Sequence, residues 1–383
     1  MLRPLPTFRL EAYFSRWEFA ARYHLTASDP QTLTVGELLA LGTEQDRRAF
    51  HDLPLSYVPT WGTDALRAAI ARTYDRIGPD DTLVFAGAEE AVFWVMALLL
   101  SPGDHAIVTV PNYQSMESVA LASGAEVTGL PLWTGAGPDL RWTLDLDRLE
   151  AMLRPETTVV AVNFPNNPTG FVPPVDDFTA LVRLCDEREI RLVSDEVYRG
   201  VELDHRRVLP QAADLSERAV SLNVLSKAYG LPGLRVGWAA CRDGALLARL
   251  EEAKHYTSIA DAAPSELLAT IALRNAEQLH DRVRSIVAAN VPVFDAFFGD
   301  HADLFDWAPP DGGCVTFPRY RGADGVEAFC ERLVEQEGVL LLPASIYHSE
   351  LASVPTDRFR IGVGRLDPEP ALDAMRRFLA RER

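Results

Sequence analysis

From about residue 60 the chain alternates two hydrophobic rhythms, and this alternation restricts the fold more than any other feature. The stretch GTDALRAAIARTYDRI (62–77) spaces its apolar residues as a helix does, whereas TLVFA (82–86) is a contiguous apolar run of the kind that forms a buried strand. A helical segment at 88–100 follows, then apolar runs at 106–110, 125–130, 158–163, 190–195 and 219–225, with helical segments between most of them. A run that is apolar on both sides of the pleat must be covered on both faces. The expected fold is therefore α/β: a large domain whose mostly parallel sheet is covered by helices on both faces. In such sheets ligands bind beyond the carboxyl ends of the strands. Gly87, Tyr113, Asn167, Asp195 and Lys227 all fall at or just past an apolar run.

From about residue 265 the rhythm changes to a long helical stretch, then to short strands at 314–320 and 339–344 and helices at 324–337 and 368–382. This predicts a smaller α+β domain. A first helix at 9–23 has no sheet of its own to cover and joins it, so the expected boundaries are 46–285 for the large domain and 1–45 plus 286–383 for the small one.

A net charge of −18 argues against a nucleic-acid partner, since a phosphate backbone would be repelled. The longest apolar run, AVFWVMALLL (91–100), is too short to span a bilayer, and the N-terminal residues contain no apolar core of a signal peptide. Neither a membrane nor a secretory route is expected. Four cysteines (Cys185, Cys241, Cys314, Cys330) lie scattered, without metal-ligand spacing. They read as reduced thiols of a cytoplasmic protein, and no metal is expected.

Five stretches carry chemistry. FAGAEEA (85–91) is a strand, a glycine and a helix start, a turn that aims free N–H groups and the positive helix end outward and so suits a phosphate. VPNYQS (110–115) places an aromatic face just past a strand. NFPNNPTG (163–170) is a stiff Asn/Pro turn that holds an amide side chain over the sheet edge. SDEVYRG (194–200) ends a buried strand in a carboxylate, which is either a helix cap or the partner of a cation. SLNVLSKAYGLPGLRVGW (221–238) puts Lys227 where a strand meets a Gly/Pro-rich loop. A lone lysine there would read as a loop residue reaching solvent.

Taken in order, these stretches resemble the pyridoxal-phosphate-dependent aminotransferases of the aspartate aminotransferase superfamily (class I/II, fold type I), from YVPTWGTDALRAAIA to FRIGVG. The resemblance implies that Lys227 bonds to the cofactor aldehyde and later moves the substrate proton, and that Asp195 pairs with the pyridine nitrogen. It implies that Asn167 and Tyr198 hydrogen-bond the ring's phenolic oxygen and that Tyr113 stacks on the ring. Arg235, the backbone N–H groups of Ala88 and Glu89, and Tyr57 of a neighbouring subunit would hold the phosphate, with Ser226 orienting the loop. The Glu89 carboxylate would turn away from the phosphate. Arg360 would take the substrate α-carboxylate, with Asn167 and Ser28 also at the substrate, in a wall that includes Tyr23, Trp61 and Tyr256. One departure stands out: many relatives carry Ser or Thr three residues before the lysine, and this chain has Val224. Asn223 or backbone would then have to compensate.

The implied activity is transfer of an amino group between an L-amino acid and a 2-oxo acid by a ping-pong mechanism, in a homodimer with shared sites. The alternative is a lyase or cyclase using the same cofactor, of the C–S lyase or capreomycidine-synthase-like kind, which the N-terminal WEFAARYHLTASD also resembles. A non-enzymatic amino-acid sensor is the remotest option, because no DNA-binding segment precedes the fold and the charge is strongly acidic.

Overall fold

The computed structural model describes residues 3–382. Its centre is a seven-stranded sheet built from β1 (Thr82–Phe85), β2 (His105–Val110), β3 (Glu126–Pro131), β4 (Thr157–Asn163), β5 (Arg191–Asp195), β6 (Ala219–Val224) and β7 (Gly237–Ala240). The spatial order is β1-β7-β6-β5-β4-β2-β3, and β7 alone runs antiparallel to its neighbours.

The contiguous apolar runs have a simple cause. On β4, Val159 and Ala161 face one layer, with Val92, Val95 and Met96 of a covering helix, while Val160 and Val162 face the other, with Phe178, Leu181 and Val182. Each such side chain stabilises the fold by about 1.5–3 kcal/mol when fully buried, so neither face tolerates a polar residue. The covering helices include α3 (Ala88–Leu99), α4 (Ser115–Ala122) and α6 (Gly244–Lys254) on one side and α5 (Val175–Glu187) on the other.

Three helices differ from the sequence expectation, each because of a contact that periodicity does not contain. The helix expected over 62–77 is α2 (Asp64–Ala71). Thr63 caps its start, and the buried Asp214 carboxylate draws the N–H groups of Asp75 and Arg76 (2.7 Å) out of the helical path. The first helix, α1 (Arg9–Trp17), stops short of residue 23, because Tyr23–His24 instead pairs in parallel with Val339–Leu340. The long stretch after 265 is two helices, α7 (Ala263–Arg274) and α8 (Ala276–Asp300), divided at Asn275, whose side chain donates to the Ile271 carbonyl (2.8 Å).

A second, three-stranded antiparallel sheet has the order β8 (Val315–Thr316), β10 (Phe359–Gly362), β9 (Leu342–Pro343). It is flanked by α9 (Val326–Glu337) and α10 (Glu369–Glu382). The N-terminal segment runs along it: Gly362 N–H donates to Leu25 O (2.8 Å) and Thr26 Oγ1 to Arg360 O (3.2 Å). That contact carries residues 26–29 to the carboxyl ends of the large sheet. Among the described residues no helix is long and apolar enough to cross a membrane.

Candidate active site

A cavity of about 450 Å³ opens between the carboxyl ends of β4, β5 and β6, the N-terminus of α3, the N-terminal segment and β10. Its floor is set by strand register. Asn163 ends β4 directly opposite Asp195 at the end of β5. The Asn163 amide donates to Asp195 O (3.2 Å), and its Oδ1 accepts the Asn167 N–H (2.7 Å). Asn166 stiffens the same turn by accepting from Thr169 Oγ1 (2.7 Å) and donating to Pro111 O (3.2 Å). Sequence reasoning missed Asn163. The signal was there, since a lone amide closing an apolar strand has to find partners at the strand end.

Asp195 is buried, and burial pushes its carboxyl up to about 6, against the downward pull of the Val197 N–H, the Lys227 charge and Asn163. A carboxyl so placed favours a cationic partner inside the cavity. Asn167 is also buried, and its Oδ1 is engaged by Arg360 Nη1 (3.2 Å) and Tyr347 OH (3.4 Å). Its Nδ2 donors remain for a ligand oxygen.

Lys227 reaches the cavity from the loop after β6, where Nζ donates to Ser28 Oγ (2.7 Å). Tyr198 donates from its phenol to the Ser28 carbonyl (3.1 Å). Burial lowers the lysine's pKa; the Arg360 charge acts the same way, while Asp29 and Asp195 oppose it. A depressed amine holds more of its population as the neutral nucleophile.

Arg360 is 0 % exposed, and among the described residues its hydrogen-bond partners are neutral oxygens, including Thr26 O (2.9 Å), Thr26 Oγ1 (3.4 Å) and Asn167 Oδ1. Phe359 and Ile361 on either side of it are buried in the hydrophobic core, so strand alternation turns the guanidinium the other way, toward the cavity. A guanidinium shielded from solvent without a carboxylate is unusual, because desolvation is offset only by hydrogen bonds. Its planar donors and unpaired charge are of the kind that a carboxylate ligand would satisfy.

The anion end of the cavity lies at the start of α3. Gly87 has φ +102°, and a Cβ there would stand 2.6 Å from Arg235 Nη2, so a side chain at residue 87 would displace the guanidinium. The N-terminus of α3 has no side-chain cap, whereas α2 is capped by Thr63 and α6 by Asp243. Arg235 is itself left-handed (φ +52°), and among the described residues its guanidinium makes only long 3.5 Å contacts, to Ala86 O and Pro232 O. Open helix N–H groups and a loosely held planar cation converge there, a donor set suited to a phosphate. Ser226 and Val224 line the same cavity. Asn223 is not the substitute donor the sequence suggested: one residue away on β6, it alternates to another groove, lined with Arg72 and Arg199.

Glu89 turns aside to accept from Ser115 Oγ (2.7 Å), and Tyr113 lines the wall with its ring edge-on to Phe8 at 5.1 Å. Tyr57 lies apart from this constellation, 89 % exposed on the surface. Of the side chains expected in the substrate wall, Ser28 lines the cavity; Tyr256 stands exposed, and Trp61 and Tyr23 are partly buried against the hydrophobic core.

The aminotransferase class I and II family model matches residues 25–378, a span that contains both the Lys227 loop and the Arg360 strand. The chain belongs to this family. It is 32 % identical over 95 % of its length to capreomycidine synthase of Streptomyces vinaceus, 91 % of which is covered. It is 31 % identical over 84 % of its length to an arginine–pyruvate transaminase of Pseudomonas aeruginosa, with 81 % of that protein covered. Among solved structures, a PLP-dependent aminotransferase from Streptococcus suis matches with a TM-score of 0.88 at 28 % identity, covering 98 % of both chains. The PLP-dependent cyclase OrfR matches with a TM-score of 0.88 at 27 % identity, covering 100 % of this chain and 99 % of that one. Members of this aminotransferase family depend on pyridoxal phosphate, and the donor set fits that group: anion donors at one end of the cavity, a buried carboxyl and an amine at the other.

Proposed function

We propose that the protein is a pyridoxal-phosphate-dependent transaminase that moves an amino group between an L-amino acid and a 2-oxo acid by a ping-pong mechanism. The observation that carries this reading is a buried Arg360 with neutral partners in the same cavity as a lysine of depressed pKa. When bound, the cofactor supplies an aldehyde for covalent capture of an amine and a protonated ring that takes up negative charge from the substrate α-carbon. The chain's own residues do the rest. The N–H groups of Ala88 and Glu89, with Arg235 and Ser226, would hold the phosphate. Asp195 would keep the ring nitrogen protonated, Asn167 would donate to the phenolic oxygen, Tyr198 would join it once its phenol turns from the Ser28 carbonyl, and Tyr113 would cover the ring. Arg360 fixes the substrate carboxylate, which orients the α-proton toward Lys227 Nζ, and Lys227 takes the proton and returns it. Ser28, bonded to Lys227 and within reach of Tyr198, steadies the lysine from the substrate side.

A cyclase is the second reading, favoured by the likeness to capreomycidine synthase and OrfR. Pure holoenzyme incubated with single amino acids and 2-oxoglutarate separates the two. Stoichiometric glutamate and a new 2-oxo acid, read by mass spectrometry, support the transaminase; a dehydrated ring product without glutamate supports the cyclase.

Arg360→Lys keeps the charge but loses the two-pronged grip, so KM for the amino acid should rise about tenfold with kcat less affected. An unchanged KM would show that the carboxylate binds elsewhere.

We also place Tyr57 in a homodimer, reaching the phosphate of the neighbouring site. Leu55 and Tyr57 are each 89 % exposed, a cost for a free monomer and a natural contact surface between two copies. Mixing Tyr57→Phe chains with Lys227→Ala chains under subunit exchange should yield more activity per site than either parent, because a mixed dimer then gathers both lesions into one site. A fully active monomer on sedimentation would refute the arrangement. The four cysteines, all buried free thiols, are compatible with a cytoplasmic location.

A further inference from the structure

The charges lining the cavity can be matched one by one, and two are left over. Under the reading above, Arg235 meets the phosphate, Asp195 the ring nitrogen, Arg360 the α-carboxylate and Lys227 the reacting centre. Asp29, also in the wall, is already neutralised by Arg365 (2.7 Å). Glu11 on the first turn of α1 and Glu89 on the first turn of α3 also face the cavity, and among the described residues neither has a cationic partner. Glu89 has one neutral donor, Ser115 Oγ, and Ser15 engages the Glu11 carbonyl rather than its carboxylate. Both glutamates stay solvent-exposed. Partial desolvation at the wall, opposed by the Ser115 hydrogen bond and reinforced by the Glu11 and Asp195 charges, pushes the Glu89 carboxyl up to about 7. Two carboxylates line one cavity, and the Glu11 charge raises the Glu89 carboxyl, so a positive group between them would be favoured. Phe14 and Leu10 of α1 line the same wall and offer apolar surface to a methylene chain.

We propose that the substrate is an amino acid whose aliphatic side chain ends in a positive charge, an ammonium or a guanidinium, held by Glu11 and Glu89. This rests on the reading of the cavity as an amino-acid site. The two carboxylates are specificity-determining residues: they touch the far end of the side chain, away from the α-carbon. The apolar stem lies along Phe14 and the cation displaces the repulsion between the glutamates, so a neutral side chain of the same length gains the stem contact only.

Equilibrium titration of the holoenzyme by calorimetry tests this without turnover, using amino acids that lack an α-proton. α-Methylornithine should bind at least about tenfold more tightly than α-methylnorvaline, its neutral counterpart of equal carbon-chain length. α-Methylarginine shows whether a guanidinium serves as well as an ammonium, and either supports the proposal. Glu11→Gln and Glu89→Gln should each reduce the ratio to below about threefold, and Glu11→Lys should shift preference toward α-methylglutamate. Equal affinities in the native protein, tighter binding of α-methylglutamate by it, or a ratio untouched by both glutamine variants would overturn the proposal. Those results would leave the amino-acid enzyme reading standing, provided natural amino acids still change the visible absorption of the bound cofactor. If no amino acid does, that reading and this proposal fall together.

Discussion

Lys227→Ala is expected to abolish turnover, by at least about a thousandfold, because it removes both the nucleophile and the proton carrier in one change. The native holoenzyme should absorb in the visible region, and the variant should lose that band. Borohydride reduction followed by peptide mapping gives a sharp readout, because the chain contains two lysines, Lys227 and Lys254. Lys254 is fully buried and its ammonium is committed: it pairs with Asp261 at 2.6 Å and donates to Thr60 O and Val84 O, both at 2.7 Å. It has no route to the cavity chemistry, and breaking such a buried pair costs about 3–5 kcal/mol. The cofactor should therefore be fixed on Lys227. A tag on Lys254, or protein that takes up no cofactor, would refute the assignment.

Asp195→Asn should lower kcat by about a hundredfold, roughly 3 kcal/mol of transition-state stabilisation, while cofactor still binds through the phosphate end. The reason lies in charge. Burial pushes the Asp195 carboxyl up to about 6 even with the Lys227 charge pulling it down, and a protonated ring nitrogen beside it would be a favourable way to keep both groups ionised. Asparagine keeps the shape and the hydrogen bond but not the charge, so the ring loses its proton and with it most of its capacity to accept electrons. Comparable cofactor affinity with a collapsed rate would support this role. Near-normal turnover would reduce Asp195 to a local cap, bonding the Val197 N–H at 3.1 Å and nothing more.

The large sheet was legible in the sequence because each strand carries its own evidence. Runs such as TVVAVN are apolar at every position, and only a strand covered on both faces has use for that pattern. The strand-end residues were legible for the same reason: a polar residue closing such a run stands where the sheet opens to ligand. Helix ends were less legible. Asp214 pulling on Asp75 and Arg76, and Tyr23–His24 pairing with Val339–Leu340, are contacts between residues far apart in the chain that leave no periodic trace.

What the sequence determined by itself was the α/β architecture, the family and the order of the chemistry-bearing stretches, since these depend on local patterns of burial and turn geometry. Tertiary structure alone decided how those stretches meet. It set Asn163 opposite Asp195 through strand register, brought Ser28 onto Lys227 Nζ by laying the N-terminal segment along β10, and enclosed Arg360 among neutral oxygens. It also turned Asn223 away from the cavity and left Glu11 and Glu89 facing it with no cationic partner among the described residues. Charge pairing depends on distance in space, falling steeply over a few ångströms, and sequence separation does not encode it.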